Sequence, residues 1–306
     1  MSLSDDVRQE LAAIEPRKPC CRLAELSALV RGAGSVHLRG GGRIALHLEV
    51  ASAAVARRAF SLLRSYGVPC EIRTYRRRAF EHETRFQIHL EDDARALQAL
   101  NEAGVLDANL APLVRPPRRV VGRVCCRAAY LRGAFLASGS ASGPRNAHLE
   151  LRATDAAAAG FLAELAAEEG FTLGVYERDR HAVAYAKGVE GIGELLAFVG
   201  AQDAALRLGE EAVVASTRAR ANRLANADHA NIVRTSRAAD AQLRAIRRLE
   251  REGRLVELAP ELREIARLRV RHPTLSLREL ARRCTPPATK AAAHRRLAKL
   301  QRLAEL

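Results

Sequence analysis

Apolar positions change their spacing in a fixed order along the first two-thirds of the chain, and the order occurs twice. Residues 20–36 (CCRLAELSALVRGAGSV) place apolar and small side chains at helical intervals and close on Gly-Ser. Strict alternation follows at Ile44, Leu46, Leu48 and Val50, and then helical spacing again at Val55, Phe60, Leu62 and Leu63. Residues 70–76 and 85–90 read as a hairpin pair, and 94–102 as a short closing helix. Residues 125–141 (CCRAAYLRGAFLASGSA) start the same series, with Ala147, Leu149 and Leu151 alternating and Phe161, Leu162 and Leu165 at helical spacing. A hairpin of 172–177 with 181–186 and a helix over 191–199 complete it. The two openings are identical at 7 of 17 positions at an offset of 105 residues, so the chain carries two copies of one helix-and-sheet unit.

The last third follows another rule. Residues 210–252 read as a long polar helical stretch with a thin apolar seam of Val213, Leu224, Ile232, Leu243, Ile246 and Leu249. Asn222, Asn226 and Asn231 are weak helix formers, and they predict a break or kink there. They are read equally as caps or as phosphate and base contacts. Gly253 ends this arm. Pro260 opens a helix running to about Arg271 with Leu262, Ile265 and Ala266 on one face, and His272-Pro273 stops it. Ser276 and Glu279 form a capping box for a second helix with a stripe of Leu277, Leu280, Ala281 and Cys284. Thr285-Pro286-Pro287 makes a turn, and a third helix begins near Thr289. Its Ala293, Leu297, Leu300 and Ala304 face inward, whereas Ala291, Arg295, Ala298 and Arg302 lie opposite, with His294 and Lys299 at the margins. Three short helices with a tight turn before a basic last helix read as a helix-turn-helix.

Charge sharpens this picture. The chain has a formal net charge of +15 and a pI near 10.5, which points to a polyanionic partner. Residues 201–306 hold 23 Lys and Arg against 12 Asp and Glu, so most of the excess lies in the last third. Trp is absent and aromatics make up 4%, which disfavours a membrane surface as the anion. Neither a leader nor a membrane span is expected, and the cytoplasm, with nucleoid association, is the expected location. Six cysteines occur as two adjacent pairs plus Cys70 and Cys284, without C-x-x-C spacing. They are expected to be small buried residues in a reduced compartment, with no metal and no cofactor. Gly40-Gly41-Gly42 reads as a hairpin tip, not a phosphate loop. His47 and His148 are each expected on an exposed strand face or in a cross-strand pair, and no histidine pattern suggests ligands. Residues 112–119 read as a Pro-rich spacer between the copies.

The segment from Leu131 to Gly139 (LRGAFLASG) resembles the signature helix of LAGLIDADG homing endonucleases, and Leu26 to Gly34 (LSALVRGAG) is a weaker copy. The resemblance implies an α+β domain of two repeats, helices on an antiparallel saddle, with the signature helices packed side by side. Ala28, Gly34, Gly133 and Gly139 are the expected close contacts between them. Activity in that family needs a carboxylate just before the terminal glycine, and here Ala33 and Ser138 stand there. Neither can replace a carboxylate as a ligand for a hard cation, so no catalytic residue and no enzyme activity are expected. A nuclease with rearranged ligands such as Glu25 or Glu150 is the rival reading, and a protein- or ligand-binding repeat domain is another.

The AYLRGAFLASGS run (129–140), the NRLANADHAN segment (222–231) and the Pro-Pro-x-Thr-Lys…His-Arg-Arg-Leu-x-Lys-Leu pattern (286–300) resemble the WhiA family of bacterial regulators over nearly the whole chain. Lys290 and Arg296 fit that family's usual recognition-helix start, whereas Ala291, His294 and Arg295 depart from it. The resemblance implies a transcription regulator of sporulation, cell division and chromosome segregation. Its partners would be double-stranded promoter DNA and, among proteins, RNA polymerase or a WhiB-like co-regulator. The expected DNA contacts are Ser276, Arg278, Thr289, Lys290, Ala291, His294, Arg295, Arg296, Lys299 and Arg302. Secondary phosphate contacts are expected from Arg73, Arg76, Arg77, Arg78, Asn222, Arg223 and Asn226, with Arg39 and Arg43 adding to the basic saddle. The expected organisation is an N-terminal arm (1–19), repeats at 20–110 and 125–205 joined by a linker (111–124), a helical arm (206–258) and a helix-turn-helix (259–306).

Overall fold

Ser2 starts the first helix, α1 (Leu3–Ala13), by accepting from the Asp5 N–H while the Asp5 carboxylate reaches back in a capping box. The structure is a computed structural model describing residues 2–39, 43–76, 84–90 and 93–305. It has two compact units, Met1–Ser216 and Thr217–Leu306. In the first unit α2 (Pro19–Ala33) leads into β1 (Gly34–Arg39) and β2 (Arg43–Val50), then α3 (Ala53–Ser65), β3 (Cys70–Arg76), β4 (Thr84–Leu90) and α4 (Ala94–Glu102). After a linker holding α5 (Arg118–Val121), the series repeats as α6 (Val124–Ser138), β5 (Gly139–Ser142), β6 (His148–Ala153), α7 (Ala156–Ala167), β7 (Gly174–Arg178), β8 (His181–Lys187) and α8 (Val189–Val199).

Each copy builds one four-stranded antiparallel sheet, in the orders β1-β2-β4-β3 and β5-β6-β8-β7. The registers are equivalent: Gly34 lies opposite Leu48, and Gly139 opposite Leu151. Alternation explains the pleat, because Leu46, Leu48, Val50, Leu149 and Leu151 all point into one core. β1 and β5 go beyond the sequence pattern, which ran the opening helix straight to one alternating strand. Gly34-Ser35 and Gly139-Ser140 start these strands; β1 alternates only at Val36 and Leu38, and β5 is four small residues with no bulky apolar alternation to read. The Gly40-Gly41-Gly42 tip expected between β1 and β2 lies outside the described residues, as do Arg77 and Arg78.

Helices α2 and α6 are the spine. α2 buries a continuous run from Ala24 to Val30, and α6 one from Ala129 to Leu136, so each is enclosed on all sides. Equivalent residues face each other across the pair. A Cβ on Gly133 would stand 2.5 Å from the Glu25 carbonyl and 2.9 Å from the Ala28 Cβ, and one on Gly32 would stand 2.7 Å from the Ala137 Cβ. Ala28 matches Gly133, and Gly32 matches Ala137, at the repeat offset. The pseudo-two-fold axis therefore runs between two parallel helices. Gly34 and Gly139, expected at this contact, do something else. Each caps its own helix with extended backbone, and an added Cβ would strike Val30 or Phe135 of the same helix. The glycine contact on the first helix is Gly32.

Close packing of the spine buries one carboxylate. Glu25 is fully inaccessible. It accepts from Arg58 Nε at 2.7 Å, and from Arg132 Nε and Nη2 at 2.9 and 2.7 Å. Arg132 also donates to the Val199 carbonyl at 3.2 Å, tying α8 to the spine. The linker is held as well, since Arg31 donates to the carbonyls of Leu113 and Gly104 at 2.8 and 2.6 Å.

The expected break in the arm is absent: α9 (Gln202–Arg251) runs as one uninterrupted 50-residue helix. The asparagines are separated by alanine, arginine and leucine, and an ordinary weak helix former costs only about 0.7 kcal/mol or less. Glu10 satisfies the start of α9 by accepting from the Asp203 and Ala204 N–H groups at 2.8 and 2.9 Å. The expected apolar seam is not continuous. Val213, Leu224 and Ile232 are exposed, whereas Ile246 and Leu249 are buried. In the second unit, α10 (Pro260–Arg271), α11 (Leu277–Arg282) and α12 (Lys290–Glu305) close a separate core with Ile246 and Leu249.

Glu25→Gln removes the charge that both buried guanidiniums face and should destabilise the first unit by about 3–5 kcal/mol. Urea unfolding of the full chain checks this, and an unchanged midpoint would show that the ion triad is not needed.

Candidate nucleic-acid interface

The second unit derives its shape from apolar spacing. Leu262, Ile265 and Ala266 of α10, Leu280 and Ala281 of α11, and Ala293, Leu297, Leu300 and Ala304 of α12 are all buried together. Leu277, expected in the α11 stripe, is only half-buried because it stands at the first position of a short helix. The Ser276 hydroxyl accepts from the Glu279 N–H at 3.3 Å, and the Glu279 carboxylate accepts from the Ser276 N–H at 2.9 Å. The Ser276 hydroxyl also donates to that carboxylate at 2.7 Å, and this bond first, then the one from the Ser276 N–H, holds the Glu279 carboxyl below the usual carboxylate range. At the start of α12 the Thr289 hydroxyl accepts from the Ala292 N–H at 3.2 Å.

Two further contacts fix the turns. Arg269 is 2% exposed. Its Nη1 donates to the Leu275 carbonyl at 2.7 Å and to the Pro273 carbonyl at 3.3 Å, which pins the connection from α10 to α11. The Glu264 carboxylate accepts from the Thr285 N–H at 2.7 Å, holding the turn before α12. His272 accepts from Arg283 at 2.8 Å. Loss of water contact, then the charges of Arg283 and Arg271, push its pKa below the ordinary histidine value.

What remains outside is a basic helix face. Ala291, His294, Arg295, Lys299 and Arg302 are exposed along α12, with Thr289 and Lys290 at its start and Ser276 and Arg278 at the start of α11. Among the described residues, no carboxylate lies within ion-pair distance of Arg278, Lys290, Arg295, Lys299 or Arg302. Arg296 is different: its Nη2 lies 3.0 Å from a Glu261 carboxylate oxygen, and its side chain is 21% exposed. It braces α12 on α10 and stands apart from the exposed face. Thr289 and Ser276 likewise have their hydroxyls engaged in caps. Arg282, exposed at the end of α11, adds a cation that the sequence pattern did not single out, because only the fold shows it at the turn. Asn222, Arg223 and Asn226 all project from α9 into solvent, so none of them is a turn residue.

Among the described residues, the first unit shows no comparable site at the ends of its paired helices. Ala33 and Ser138 end the parallel helices, and the Ser138 hydroxyl donates to the Arg152 carbonyl at 2.7 Å. The rival ligands are occupied. Glu25 is neutralised by two arginines, and Glu150 accepts from the Tyr176 hydroxyl at 2.8 Å and meets His148 Nε2 at 2.9 Å. Among the described residues, no acidic or histidine trio gathers at the helix ends. Arg73 is exposed on β3 but pairs with Glu71 at 3.1 Å. Arg39, Arg43 and Arg76 belong to strands whose side chains at those positions lie outside the described residues.

A doubled LAGLIDADG-like unit without its carboxylates, together with a helix-turn-helix unit, defines a class of degenerate homing-endonuclease folds joined to a nucleic-acid-type helical module. Family models agree. Residues 19–106 match the WhiA N-terminal LAGLIDADG-like domain, 127–218 the WhiA LAGLIDADG-like domain, and 221–304 the WhiA C-terminal HTH domain. A "Probable cell division protein WhiA" of Heliobacterium modesticaldum is 37% identical over the whole chain and 96% of its own length. That of Symbiobacterium thermophilum is 38% identical, with 100% and 98% covered. The chain belongs to the WhiA family. Its fold is similar to the crystal structure of full-length DUF199/WhiA from Thermatoga maritima, at a TM-score of 0.58 and 23% identity with 100% and 98% of the two chains covered.

Arg269→Ala strips charged donors from two turn carbonyls and should cost the second unit about 1.5–3 kcal/mol. A calorimetric scan resolving the two units checks this. A shift confined to the first unit's transition would contradict it.

Proposed function

We propose that this protein is a sequence-specific DNA-binding transcription regulator whose nuclease-like unit cleaves nothing. The observation that carries the reading is the unpaired basic face of α12, Lys290, Arg295, Lys299 and Arg302, set between short exposed side chains such as Ala291. Alanines between arginines let a helix enter the major groove, while guanidiniums reach guanine edges or phosphates. His294 and Arg295 are assigned to base edges. Arg278, Lys290, Lys299 and Arg302 are assigned to phosphates, with the Ser276 and Thr289 caps aiming the backbone of each helix start. Arg73, Arg76, Arg77, Arg78, Asn222, Arg223 and Asn226 would add salt-dependent affinity. Arg296 supports the reading only as a brace.

The division of labour follows the boundaries read from the sequence: repeats at 20–110 and 125–205, a linker at 111–124, an arm at 206–258, and the reading module at 259–306. The relatives' name supports a role in cell division. Sporulation and chromosome segregation, RNA polymerase or a WhiB-like co-regulator as partner, and a cytoplasmic, nucleoid-bound location are proposed on the family resemblance alone.

A second reading has one observation of its own. A cavity of about 340 Å³ beside the spine is lined by Ala28, Arg31, Tyr130, Asp155 and Phe161, among others, and its size suits a small ligand. It would make the first unit a ligand-binding module and leave DNA to the second.

Selection of bound genomic fragments by the full chain, followed by titration of the preferred site, tests the main reading. Arg295→Ala should cost about 1–3 kcal/mol on that site and little on random DNA. Equal losses on both would demote Arg295 to a phosphate contact. The same protein should leave supercoiled plasmid carrying the site intact in Mg²⁺ and in Mn²⁺. Nicking that disappears on mutating one named carboxylate would overturn the non-enzyme reading.

A further inference from the structure

The two cysteine pairs do not act as separate packing residues. Cys20, Cys21, Cys125 and Cys126 bring their Sγ atoms within 4.8 Å of one another, and among the described residues they are the one group of this kind. Repeat symmetry explains the convergence. Cys20 matches Cys125 and Cys21 matches Cys126 at the repeat offset, and the parallel spine sets the first turns of α2 and α6 side by side. Cys21 and Cys126 are buried, whereas Cys20 and Cys125 are half-buried, which leaves an approach from solvent. A zinc ion bound at about 2.3 Å to four sulfurs at tetrahedral angles spaces them about 3.8 Å apart. Cys20 and Cys21 already stand at 4.0 Å. Closing the widest separation takes a shift of about 1 Å.

Charge makes the same demand. Neither helix has an acidic residue in its first turn, and neither Lys18 nor Arg123 at the N-cap supplies a side-chain bond. Two positive dipole ends and two cationic caps thus meet at one point. Arg123 Nη1 lies 4.0 Å from the Cys20 sulfur. Four thiolates around one divalent ion carry a net charge of −2, which that surrounding favours. A disulfide needs sulfurs about 2.05 Å apart, joins only two of them, and adds no anion. An iron–sulfur cube needs the four sulfurs further apart than a single ion does.

We infer that Cys20, Cys21, Cys125 and Cys126 form a four-thiolate site for one zinc ion, which clamps the two repeats together at the head of the spine. Binding exchanges the four thiol protons for the ion, with no oxidant or reductant required, so affinity falls as the solution is acidified.

The test uses the full chain, stripped with chelator under reductant and titrated with ZnCl₂. One zinc per chain is expected by elemental analysis, with four fewer thiols reactive toward a disulfide reagent and a rise of several degrees in the melting temperature. CoCl₂ in place of zinc should give the charge-transfer and d–d bands of a tetrahedral four-thiolate site. Cys20→Ser and Cys125→Ser should each lose the cobalt spectrum, while Cys70→Ser and Cys284→Ser keep it. If the serine variants fail to fold, the thiol count on the wild-type chain decides. Less than a tenth of an equivalent of zinc retained, unchanged thiol reactivity with zinc present, or binding that survives the Cys20→Ser/Cys125→Ser pair would overturn the inference.

Discussion

Everything in the first unit depends on how closely α2 and α6 approach. Backbone-to-backbone packing is possible only where side chains are nearly absent, and the pairs Ala28–Gly133 and Gly32–Ala137 supply that at two levels of the axis. From this contact follow the positions of all four helix ends. The C-terminal ends bring Ala33 and Ser138 together and launch β1 and β5 into their sheets. The N-terminal ends bring the cysteines together. Between them the approach shuts Glu25 away from water, and that burial is tolerable only because Arg58 and Arg132 arrive from α3 and α6 to meet it. A larger residue at 133 would press on the Glu25 backbone, so the packing and the ion triad form one structure.

The second unit solves a different problem, that of holding a strongly basic helix in place. α12 anchors itself through alanine and leucine at helical spacing, which leaves its charged residues free of packing duty. Two arginines of this unit serve the packing instead. Arg296 gives up solvent to pair with Glu261, and Arg269 spends its donors on loop carbonyls. Like charges along the exposed face repel one another in the absence of a polyanion, and the apolar core with these braces holds them in register. Binding a phosphate backbone would relieve that repulsion, which is one source of salt-dependent affinity.

The repeat, both hairpins, the two amphipathic helices and the three-helix module were legible because each depends on local periodicity with strong apolar contrast. The Ser276–Glu279 box was legible to the atom, since its chemistry lies within four residues. What stayed hidden depends on distant pairing or on sums of weak terms. β5, with only small residues, takes its order from pairing with β6, and the Val36–Leu38 alternation of β1 is too short to stand out without β2 beside it. Isolated asparagines suggested a break that the alanines and arginines around them outweigh over 50 residues. Arg58 gives no sign in the sequence that it answers Glu25. Ala28 and Gly133 were legible at the spine contact where they lie, but Gly34 stood in for the glycine two residues before it, Gly32, because a terminal glycine and a packing glycine look alike until the partner helix is present. The cysteines lacked familiar ligand spacing because their four ligands come from two chain segments 105 residues apart.

Parallel helices at a pseudo-two-fold axis impose a charge asymmetry that decides where ions can sit. Their carbonyl ends add partial negative charge at one pole, and their N–H ends add positive charge at the other. A carboxylate at the carbonyl pole is repelled unless a divalent cation joins it, so a pair of acids there and a bound metal stand or fall together. With Ala33 and Ser138 at that pole, the demand for a cation is gone, and the Ser138 hydroxyl turns to the Arg152 carbonyl. The opposite pole remains uncompensated by any first-turn acid, and its caps, Lys18 and Arg123, add to the excess. An anionic centre is what the field at that end favours, and thiols gathered there become one when a bound metal displaces their protons into solvent. The same helix geometry that serves phosphodiester chemistry at one end when acids are present therefore favours, in this chain, a thiolate centre at the other.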